Sequence, residues 1–250
     1  MKRLLKKILN KAGYIVLSKE SKFNLRNAFL DQKELMGILN ISKPTIFDVG
    51  AYNGHTASNY KTFFPQSKVY CFEPSSLAFK DLQANTKEMK DVEIFNFALG
   101  SKSGVSDFFV NSFGPTNSLL KPDPLSNETW GLDLGSNTVK NSVKVETLDN
   151  FVKEKEIPKI DILKMDTQGT ELEILKGASE MIQNGLIKVV YMEIITLPTY
   201  ENQPGLKNTM NVLEDLGFIL YNIYNLSSKG NGHLRQLDAI FINKNILPNL

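Results

Sequence analysis

An apolar strand that runs into a glycine-containing turn and then into a helix is the feature that most restricts the fold of this chain. Residues 45–49 read TIFDV, and Gly50 and Gly54 follow them in the turn. The pattern after the turn predicts a helix over residues 56–64, which Pro65 ends. Glycine lets a backbone approach a ligand closely because it has no Cβ, and the start of a helix offers unpaired N–H groups. The turn therefore predicts a site for a ligand that carries a carboxylate or a phosphate.

A carboxylate at the end of the next strand indicates which kind of ligand this is. The apolar run 68–72 leads to Glu73, which lies 25 positions after Asp48. A carboxylate at this place can accept hydrogen bonds from both hydroxyls of a ribose, so the sequence predicts an adenosine derivative. A turn without any ligand is the alternative, but it would leave Glu73 with no reason to end an otherwise apolar strand.

The glycine spacing distinguishes between two adenosine-containing cofactors. A dinucleotide pyrophosphate favours three glycines in the spacing G-x-G-x-x-G, whereas this turn has only Gly50 and Gly54. Asp48 would repel a pyrophosphate, but its carboxylate suits the ammonium group of S-adenosylmethionine. The turn therefore favours S-adenosylmethionine over NAD.

Strands and helices alternate from residue 45 onward, which indicates a parallel sheet covered on both faces. The predicted strands are residues 45–49, 68–72, 92–97, 160–165, 188–194, 218–224 and 239–242. The predicted crossover helices are residues 56–64, 76–86, 148–155, 171–183 and 206–216. Only residues 225–237 separate the last two strands, too few for a crossover helix, so these strands should pair as an antiparallel hairpin. The predicted fold class is α/β, a Rossmann-like and mostly parallel seven-stranded sheet with an antiparallel terminal hairpin, as in class I methyltransferases, plus N-terminal helices.

The chain divides into a predicted N-terminal helical segment, residues 1–43, and a methyltransferase domain, residues 44–250. On a helix, the apolar residues of segment 1–11 share one face and its lysines take the others. This pattern fits contact with a membrane surface, and it equally fits a helix docked on the core. Because no secretory signal and no apolar run of ~18 residues is found, the expected location is the cytoplasm, with peripheral membrane contact as the alternative.

Charge and cysteine content restrict the partners. The 29 Lys and Arg residues nearly balance the 27 Asp and Glu residues, for a net charge of +2. So small a charge gives no indication of nucleic acid, and no nucleic-acid partner is expected. The single cysteine, Cys71, lies in an apolar strand, which indicates buried packing and excludes an intramolecular disulfide.

A long polar segment, residues 111–141, interrupts the alternation of strands and helices. It is rich in Asn, Ser, Gly and Pro, contains the only tryptophan, Trp130, and is flanked by β-like runs at 105–110 and 143–147. Long loops in compact domains are commonly functional. We interpret the segment as a lid over the acceptor, with Trp130 as a platform for a sugar or another ring. A plain surface excursion is the alternative.

Two charged residues in a predicted central strand need an explanation. Lys164 and Asp166 are two positions apart at the end of strand 160–165, so they share a face, although a central parallel strand is normally apolar on both faces. Asp166 lies at the sheet edge where open α/β folds bind their ligands. A functional role and a buried Lys–Asp pair that only orients the turn both remain open.

Several motifs, in the same order along the chain, resemble those of the FkbM-type methyltransferases. They are residues 48–54, 73–74, 96–100, 147–149, 163–177, 191–193 and 237–241. The resemblance runs from about residue 46 to residue 242. It implies transfer of the methyl group of S-adenosylmethionine to an oxygen, commonly a sugar hydroxyl in a polysaccharide, glycolipid or secondary metabolite. The cofactor-binding positions that it implies are Asp48, Gly50, Ala51, Asn53, Gly54, Glu73, Pro74, Asn96, Ala98 and Asp166.

Methylation of a hydroxyl implies a general base, or a metal ion that acidifies the hydroxyl. Asp166 is the predicted base, or else a ligand of a hard divalent cation such as Mg²⁺ together with Glu193 and Asp238. Lys164 is a second candidate base, provided that burial lowers its pKa. His55 is the third candidate, because it follows the glycine turn and could touch the cofactor or the acceptor. Packing within the loop is the other interpretation of His55.

Gln168 departs from the family pattern, which often has glutamate at this position, so any role of that carboxylate falls to Asp166. Other acceptor classes stay open. A nucleic-acid amino-methyltransferase would need an Asp/Asn-Pro-Pro-aromatic motif, which the sequence after Asp166 lacks. A small-molecule amine and a silent fold that serves as an interaction module are the remaining alternatives. The expected partner is a small-molecule or glycan acceptor, and the oligomeric state stays open.

Overall fold

The structure is a computed structural model that describes residues 27–131, 134 and 138–249. The strands are β1 (Thr45–Val49), β2 (Lys68–Phe72), β3 (Val92–Phe95), β4 (Ala98–Leu99), β5 (Gly104–Val110), β6 (Val139–Glu146), β7 (Ile160–Met165), β8 (Ile187–Ile195), β9 (Phe218–Ser228) and β10 (Leu234–Asn243). The α-helices are α1 (Ala28–Ile38), α2 (His55–Phe63), α3 (Ser76–Thr86), α4 (Ser126–Trp130), α5 (Leu148–Glu154), α6 (Glu171–Lys176), α7 (Ser179–Gln183) and α8 (Leu206–Asp215).

Seven strands form the main sheet in the order β3-β2-β1-β7-β8-β10-β9. All neighbours pair parallel except β10, which is antiparallel to both β8 and β9. This arrangement confirms the predicted α/β class with its terminal hairpin. The chain leaves β1 toward β2 on one side and leaves β7 toward β8 on the other, so the topological switch point lies between β1 and β7. Ligands of open α/β sheets bind at such a point, beyond the carboxyl ends of the strands.

Apolar side chains alternate between two cores, one on each face of the sheet. Phe47 and Leu163 belong to the core that α5, α6, α7 and α8 cover. Their neighbours Ile46 and Ile162 belong to the core under α1, α2 and α3. Every residue of β7 is buried, Lys164 included. The two cores hold the ends of β1 and β7 rigidly at the edge where the ligand site is expected.

Two predicted elements are interrupted in the structure. The strand predicted at 92–97 ends at Phe95, because β4 leaves the main sheet and joins β6 and β5 in a separate three-stranded sheet. The helix predicted at 171–183 is two helices, α6 and α7. A Cβ on Gly177 would lie 2.0 Å from the carbonyl oxygen of Gly100. The carboxylate of Asp149 then accepts hydrogen bonds from the backbone N–H groups of Glu180 and Met181 at 2.8 and 3.1 Å, which starts α7 anew.

The predicted N-terminal segment is only partly described. The basic run 1–11 lies outside the described residues, and so does its expected membrane contact. Helix α1 is described, and its Leu35 and Met36 are buried in the core on its face of the sheet. The division of the chain at residue 44 stays a prediction. Within the described ranges, no helix is both long and apolar enough to cross a bilayer.

Candidate active site

A cavity of about 370 Å³ opens at the edge of the sheet where β1, β2 and β7 end. Its wall includes Gly50, Glu73 and Asp166, the residues that directly follow these three strands. A volume of ~300–1,000 Å³ is usual for small-molecule sites. We call this space the large cavity. It lies at the topological switch point, where the fold predicts a ligand.

The turn after β1 packs directly against the turn after β7. Gly50 has φ +74°, and a Cβ on it would lie 1.9 Å from the carbonyl oxygen of Asp166. The backbone N–H groups of Gly50 and Ala51 both donate to the carbonyl oxygen of Phe72 at 3.0 Å. Only glycine fits so close an approach in the left-handed region. The glycine turn is therefore clamped between β2 and β7.

Glu73 is buried at the end of β2, where it holds two backbone segments. Its Oε2 accepts a hydrogen bond from the backbone N–H of Tyr52 at 2.9 Å, and its Oε1 accepts one from that of Ser75 at 2.7 Å. Burial raises the pKa of Glu73, and these hydrogen bonds act in the opposite direction. Asn96 donates its side-chain N–H to the carbonyl oxygen of Glu73 at 2.8 Å and so braces the same turn.

Asp48 and Lys164 form a buried ion pair beneath the glycine turn. They lie opposite each other in the register of β1 and β7, and Lys164 Nζ is 2.9 Å from Asp48 Oδ1. Lys164 also donates to the carbonyl oxygen of Gly50 at 3.0 Å. Burial lowers the pKa of Lys164, but the carboxylates of Asp48 and Asp166 more than offset this effect, so the pKa is raised. A raised pKa does not meet the condition under which Lys164 was predicted to act as a base.

A side-chain amide bridges two carboxylates at the ends of β7 and β8. Gln168 Nε2 donates to Asp166 Oδ1 at 3.0 Å and to Glu193 Oε2 at 2.7 Å. Gln236 Nε2 donates to the other oxygen of Glu193 at 2.7 Å. Gln168 has φ +60°, and the hydroxyl of Tyr200 lies 2.8 Å from its Oε1. Because two carboxylates face the amide, its N–H₂ end is fixed toward them.

Glu193 lies close to three other carboxyl groups. Its pKa is raised well above its usual value by burial first, and then by the charges of Asp166, Asp238 and Glu171. Glu171 itself organises the turn after β7, because its Oε1 accepts hydrogen bonds from the backbone N–H and the hydroxyl of Thr167 at 2.8 and 3.0 Å. The turn therefore holds Asp166 and Glu193 close together in spite of their charges.

The structure gives no support to the predicted metal site of Asp166, Glu193 and Asp238. No group of three or more Asp, Glu, His or Cys side chains placed to hold a metal occurs among the residues that the structure describes. The amide N–H₂ of Gln168 lies between Asp166 and Glu193, where a shared cation would have to bind. Asp238 Oδ2 accepts hydrogen bonds from the hydroxyl of Tyr191 and from Asn225 Nδ2, each at 2.7 Å.

A second cavity of about 200 Å³ adjoins the large one. We call it the small cavity. Its own residues include Phe29, Asn59, Tyr191 and Asp238. His55 is exposed at the boundary, with Nδ1 3.4 Å from Asn59 Nδ2. The two cavities share His55, Thr56, Lys164, Asp166 and Glu193.

Part of the polar segment 111–141 covers the large cavity. Phe113 and Leu119 lie in its wall, and so does Trp130 at the end of α4. Trp130 Nε1 donates to Thr199 Oγ1 at 2.8 Å. The guanidinium carbon of Arg235 lies 4.8 Å from the centre of the Trp130 ring, so a cation covers one face of that ring. The roles of the segment as a lid and of Trp130 as a sugar platform stay predictions.

The large cavity takes in most of the predicted cofactor positions. Three predicted positions lie outside the wall: Asp48 is buried and faces the ammonium of Lys164, Gly54 is the N-cap of α2, and Asn96 braces Glu73. The other predicted positions lie in the wall, namely Gly50, Ala51, Asn53, Glu73, Pro74, Ala98 and Asp166. Sequence reasoning missed Tyr52, Thr199 and Gln236, which also lie there. Gln236 was missed because β10 begins at Leu234, five residues before the strand predicted at 239–242.

Comparison with protein families gives one match that spans most of this region. The family model described as the methyltransferase FkbM domain matches residues 48–220. The match contains the last two residues of β1 and all of β2, β7 and β8, together with the turns that follow β1, β2 and β7 in the wall of the large cavity.

Three curated relatives are 24–28% identical to this chain. The 2-O-methyltransferase NoeI of Sinorhizobium fredii is 24% identical over 189 residues, which cover 72% of this chain and 75% of the relative. Methyltransferase sdnD of Sordaria araneosa is 28% identical over 233 residues, which cover 84% and 86%. The hexuronic acid methyltransferase AglP of Haloferax volcanii is 26% identical over 186 residues, which cover 73% and 70%. Among solved structures, methyltransferase FkbM from Methylobacillus flagellatus KT superimposes with a TM-score of 0.48 at 12% identity, covering 96% of this chain and 70% of that one.

Proposed function

Because this chain belongs to the FkbM methyltransferase family, we propose that it transfers the methyl group of S-adenosylmethionine to a hydroxyl oxygen of a sugar. One observation carries the proposal. A buried carboxylate, Glu73, lies in the wall of the large cavity after β2, and the carboxylates of Asp166 and Glu193 lie in the wall at β7 and β8, across β1 from it. Glu73 suits the hydroxyls of a ribose. The pair of Asp166 and Glu193 suits an acceptor hydroxyl that must lose its proton. The names of the relatives NoeI and AglP, a 2-O-methyltransferase and a hexuronic acid methyltransferase, support oxygen and sugar as acceptor.

The donor set around Glu73 fits the cofactor. Each of its oxygens accepts one backbone hydrogen bond, and an ionised carboxylate offers about four lone-pair positions. Lone pairs therefore remain for the two ribose hydroxyls. The clamped turn at Gly50 and Ala51 gives the rest of the ligand a rigid wall. When bound, S-adenosylmethionine supplies a methyl group that its sulfonium has already activated.

Asp166 is the proposed base for the acceptor hydroxyl. Its side chain is 43% exposed and lies at the boundary of the two cavities. An Asp166 oxygen takes the hydroxyl proton as the oxygen is methylated. Gln168 orients this carboxylate, and Lys164 Nζ, 3.9 Å from Asp166 Oδ2, supplies positive charge beside it. The protein must also align the reacting atoms. Such alignment is among the largest contributions to catalysis.

Titration calorimetry with S-adenosylmethionine, S-adenosylhomocysteine and NAD tests the cofactor. We expect the first two to bind and NAD not to bind. Replacement Glu73→Ala should weaken binding by about 1.5–3 kcal/mol, the usual value for hydrogen bonds to a charged group. Glu93→Ala serves as the matched control, because Glu93 is a half-exposed carboxylate on the adjacent strand that pairs with Lys68 at 3.0 Å.

Glu73 also holds the backbone of Tyr52 and Ser75, so the melting temperature of each variant is measured without ligand. A loss of thermal stability together with unchanged affinity would assign Glu73 to the backbone alone and place the ribose elsewhere. Methyl transfer from labelled S-adenosylmethionine to a mixture of saccharides completes the test. Binding of NAD in place of S-adenosylmethionine would overturn the proposal.

A further inference from the structure

Carboxyl groups line both cavities. Glu73, Asp166 and Glu193 line the large cavity, and Asp238 joins Asp166 and Glu193 in the small one. Among the described residues that line either cavity, Lys164 is the only lysine or arginine. The other groups able to bind a ligand are mainly uncharged hydrogen-bonding side chains such as Asn59, Gln168 and Gln236.

Lys164 cannot supply its charge to an incoming anion. It is 5% exposed, its Nζ is 2.9 Å from Asp48 Oδ1, and it donates to the carbonyl oxygen of Gly50 at 3.0 Å. To bind an acidic substrate it would have to leave Asp48 buried without a partner, which is strongly unfavourable. Arg235 lies nearby, but it stacks on Trp130, donates to Ser227 at 3.0 Å and lies in neither wall.

Like charges that are brought together in a partly buried site repel each other strongly. An acceptor ring that carries a carboxylate or a sulfate would meet Glu193, Asp166 and Asp238 within one small volume. A ring with hydroxyl groups alone would meet oxygens that accept hydrogen bonds and amides that donate them. Repulsion of the wrong partner is a usual source of specificity, and here it acts against acids.

We propose that the reacting ring of the acceptor is an uncharged sugar, and that Glu193 and Asp238 act as specificity residues that reject uronic acids and sulfated sugars. The proposal rests on the proposed function. It adds that the shared boundary of the two cavities distinguishes neutral sugars from acidic ones by charge.

Matched pairs of acceptors test the inference. The probes are p-nitrophenyl hexosides and the hexuronosides of the same configuration, at pH 7, with kcat/KM for methyl transfer as the readout. For each hexoside that is methylated, we expect kcat/KM to exceed that of the matching hexuronoside by about tenfold or more. In Asp238→Asn the ratio of the two kcat/KM values should fall, because the variant lacks a carboxylate whose repulsion acts on the hexuronoside alone.

Asp107→Asn is the control, because Asp107 is a half-exposed carboxylate on β5 that pairs with Lys140 and lies in neither wall. Melting temperatures show whether Asp238→Asn folds, and Glu193→Gln offers a second variant with the same expected direction. Equal or better transfer to hexuronosides in the wild-type protein would overturn the inference alone. S-adenosylmethionine binding without transfer to any saccharide would show instead that the sugar acceptor is wrong, and the inference would fall with it.

Discussion

Asp166 combines exposure with fixed orientation, as a base that faces a substrate should. Its side chain is 43% exposed, while Gln168 holds one oxygen at 3.0 Å. Replacement Asp166→Asn keeps the shape but removes the ability to accept a proton. We expect turnover to fall by about 10²–10⁴-fold, the usual contribution of a general base, and the affinity for S-adenosylmethionine to change by no more than a few-fold. Calorimetry and a methyl-transfer assay on the same preparation measure both quantities, and Asp107→Asn is the surface control.

The opposite pattern would remove the catalytic assignment from Asp166. If Asp166→Asn lost cofactor affinity while its turnover at saturating cofactor stayed normal, the carboxylate would serve binding only. Glu193 would then become the candidate base, since it lies at the same boundary of the two cavities.

Gln168 controls the charge balance between the same two carboxylates. Gln168→Glu would replace an N–H₂ group that donates to Asp166 and Glu193 with a third negative charge. We expect the free energy of unfolding to fall by about 1–3 kcal/mol through lost hydrogen bonds. The acidic limb of the kcat/KM profile should move to higher pH, because nearby like charges raise carboxyl pKa values. Gln168→Leu removes the hydrogen bonds without adding charge, so identical pH profiles for the two variants would rule out this electrostatic role.

At the scale of elements, the contact between two turns decides the geometry of the site. Replacement Gly50→Ala places a Cβ 1.9 Å from the carbonyl oxygen of Asp166, at a φ of +74°. We expect it to lower the free energy of unfolding by at least about 3 kcal/mol and to abolish cofactor binding, because backbone strain and the clash add together. Urea denaturation and calorimetry measure the two effects.

Gly37→Ala is the matched control for the loss of a glycine. Gly37 lies in α1, and nothing lies within 4 Å of a Cβ built on it. Alanine should stabilise this helix by about 0.5–1 kcal/mol. A Gly50→Ala protein as stable as the wild type would mean that the turns after β1 and β7 move apart without cost.

The predicted bounds of strands and helices agree best with the structure where a single local sequence pattern determines the element. The three strands predicted at 45–49, 68–72 and 160–165 have the observed bounds of β1, β2 and β7, because each is a short apolar run in a fully covered sheet. Long-range contacts explain the failures. The helix predicted at 171–183 breaks at Gly177, where Gly100 approaches from another part of the chain.

The same distinction holds for the site. The glycine turn, Glu73 and Asp166 were predictable, since parallel strand ends converge at one sheet edge. The state of Lys164 was not, because it depends on Asp48, which lies 116 residues away in sequence and opposite it in the sheet. Nor did the sequence indicate that the amide of Gln168 lies between two carboxylates.

At the scale of the whole molecule, the sheet gathers acidic side chains at its ligand-binding edge. The register of β8 and β10 places Glu193 opposite Asp238, and β7 brings Asp166 beside them. Burial is the largest cause that raises the pKa of Glu193, Glu171 and Asp238. The fold therefore keeps several carboxyl groups where their charged forms are disfavoured. Ionisation of these buried carboxyl groups therefore lowers the free energy of unfolding.

The pH dependence of stability follows from these raised pKa values. Between the ordinary pKa of Glu193, 4.5, and its higher value in the folded protein, the folded state holds a proton that the unfolded state has released. Rising pH therefore favours unfolding. The stabilisation is fully present below pH 4.5 and is lost as the pH rises through the folded-state pKa. We expect the free energy of unfolding to decrease as the pH rises from 5 through the folded-state pKa of Glu193. In Glu193→Gln the decrease should be less steep, by up to about 1.4 kcal/mol per pH unit for one proton.

Urea denaturation at pH 5, 6, 7 and 8 measures this difference. Some slope should remain in Glu193→Gln, because Glu171 and Asp238 still titrate from raised pKa values. Glu201→Gln is the control, since Glu201 forms a surface pair with Lys121 at 2.7 Å and lies in neither cavity wall. Parallel curves for the wild-type and Glu193→Gln proteins would mean that Glu193 is ionised without cost in the folded state. The hydrogen bonds from Gln168 and Gln236 would then be enough to stabilise the ionised carboxylate of Glu193.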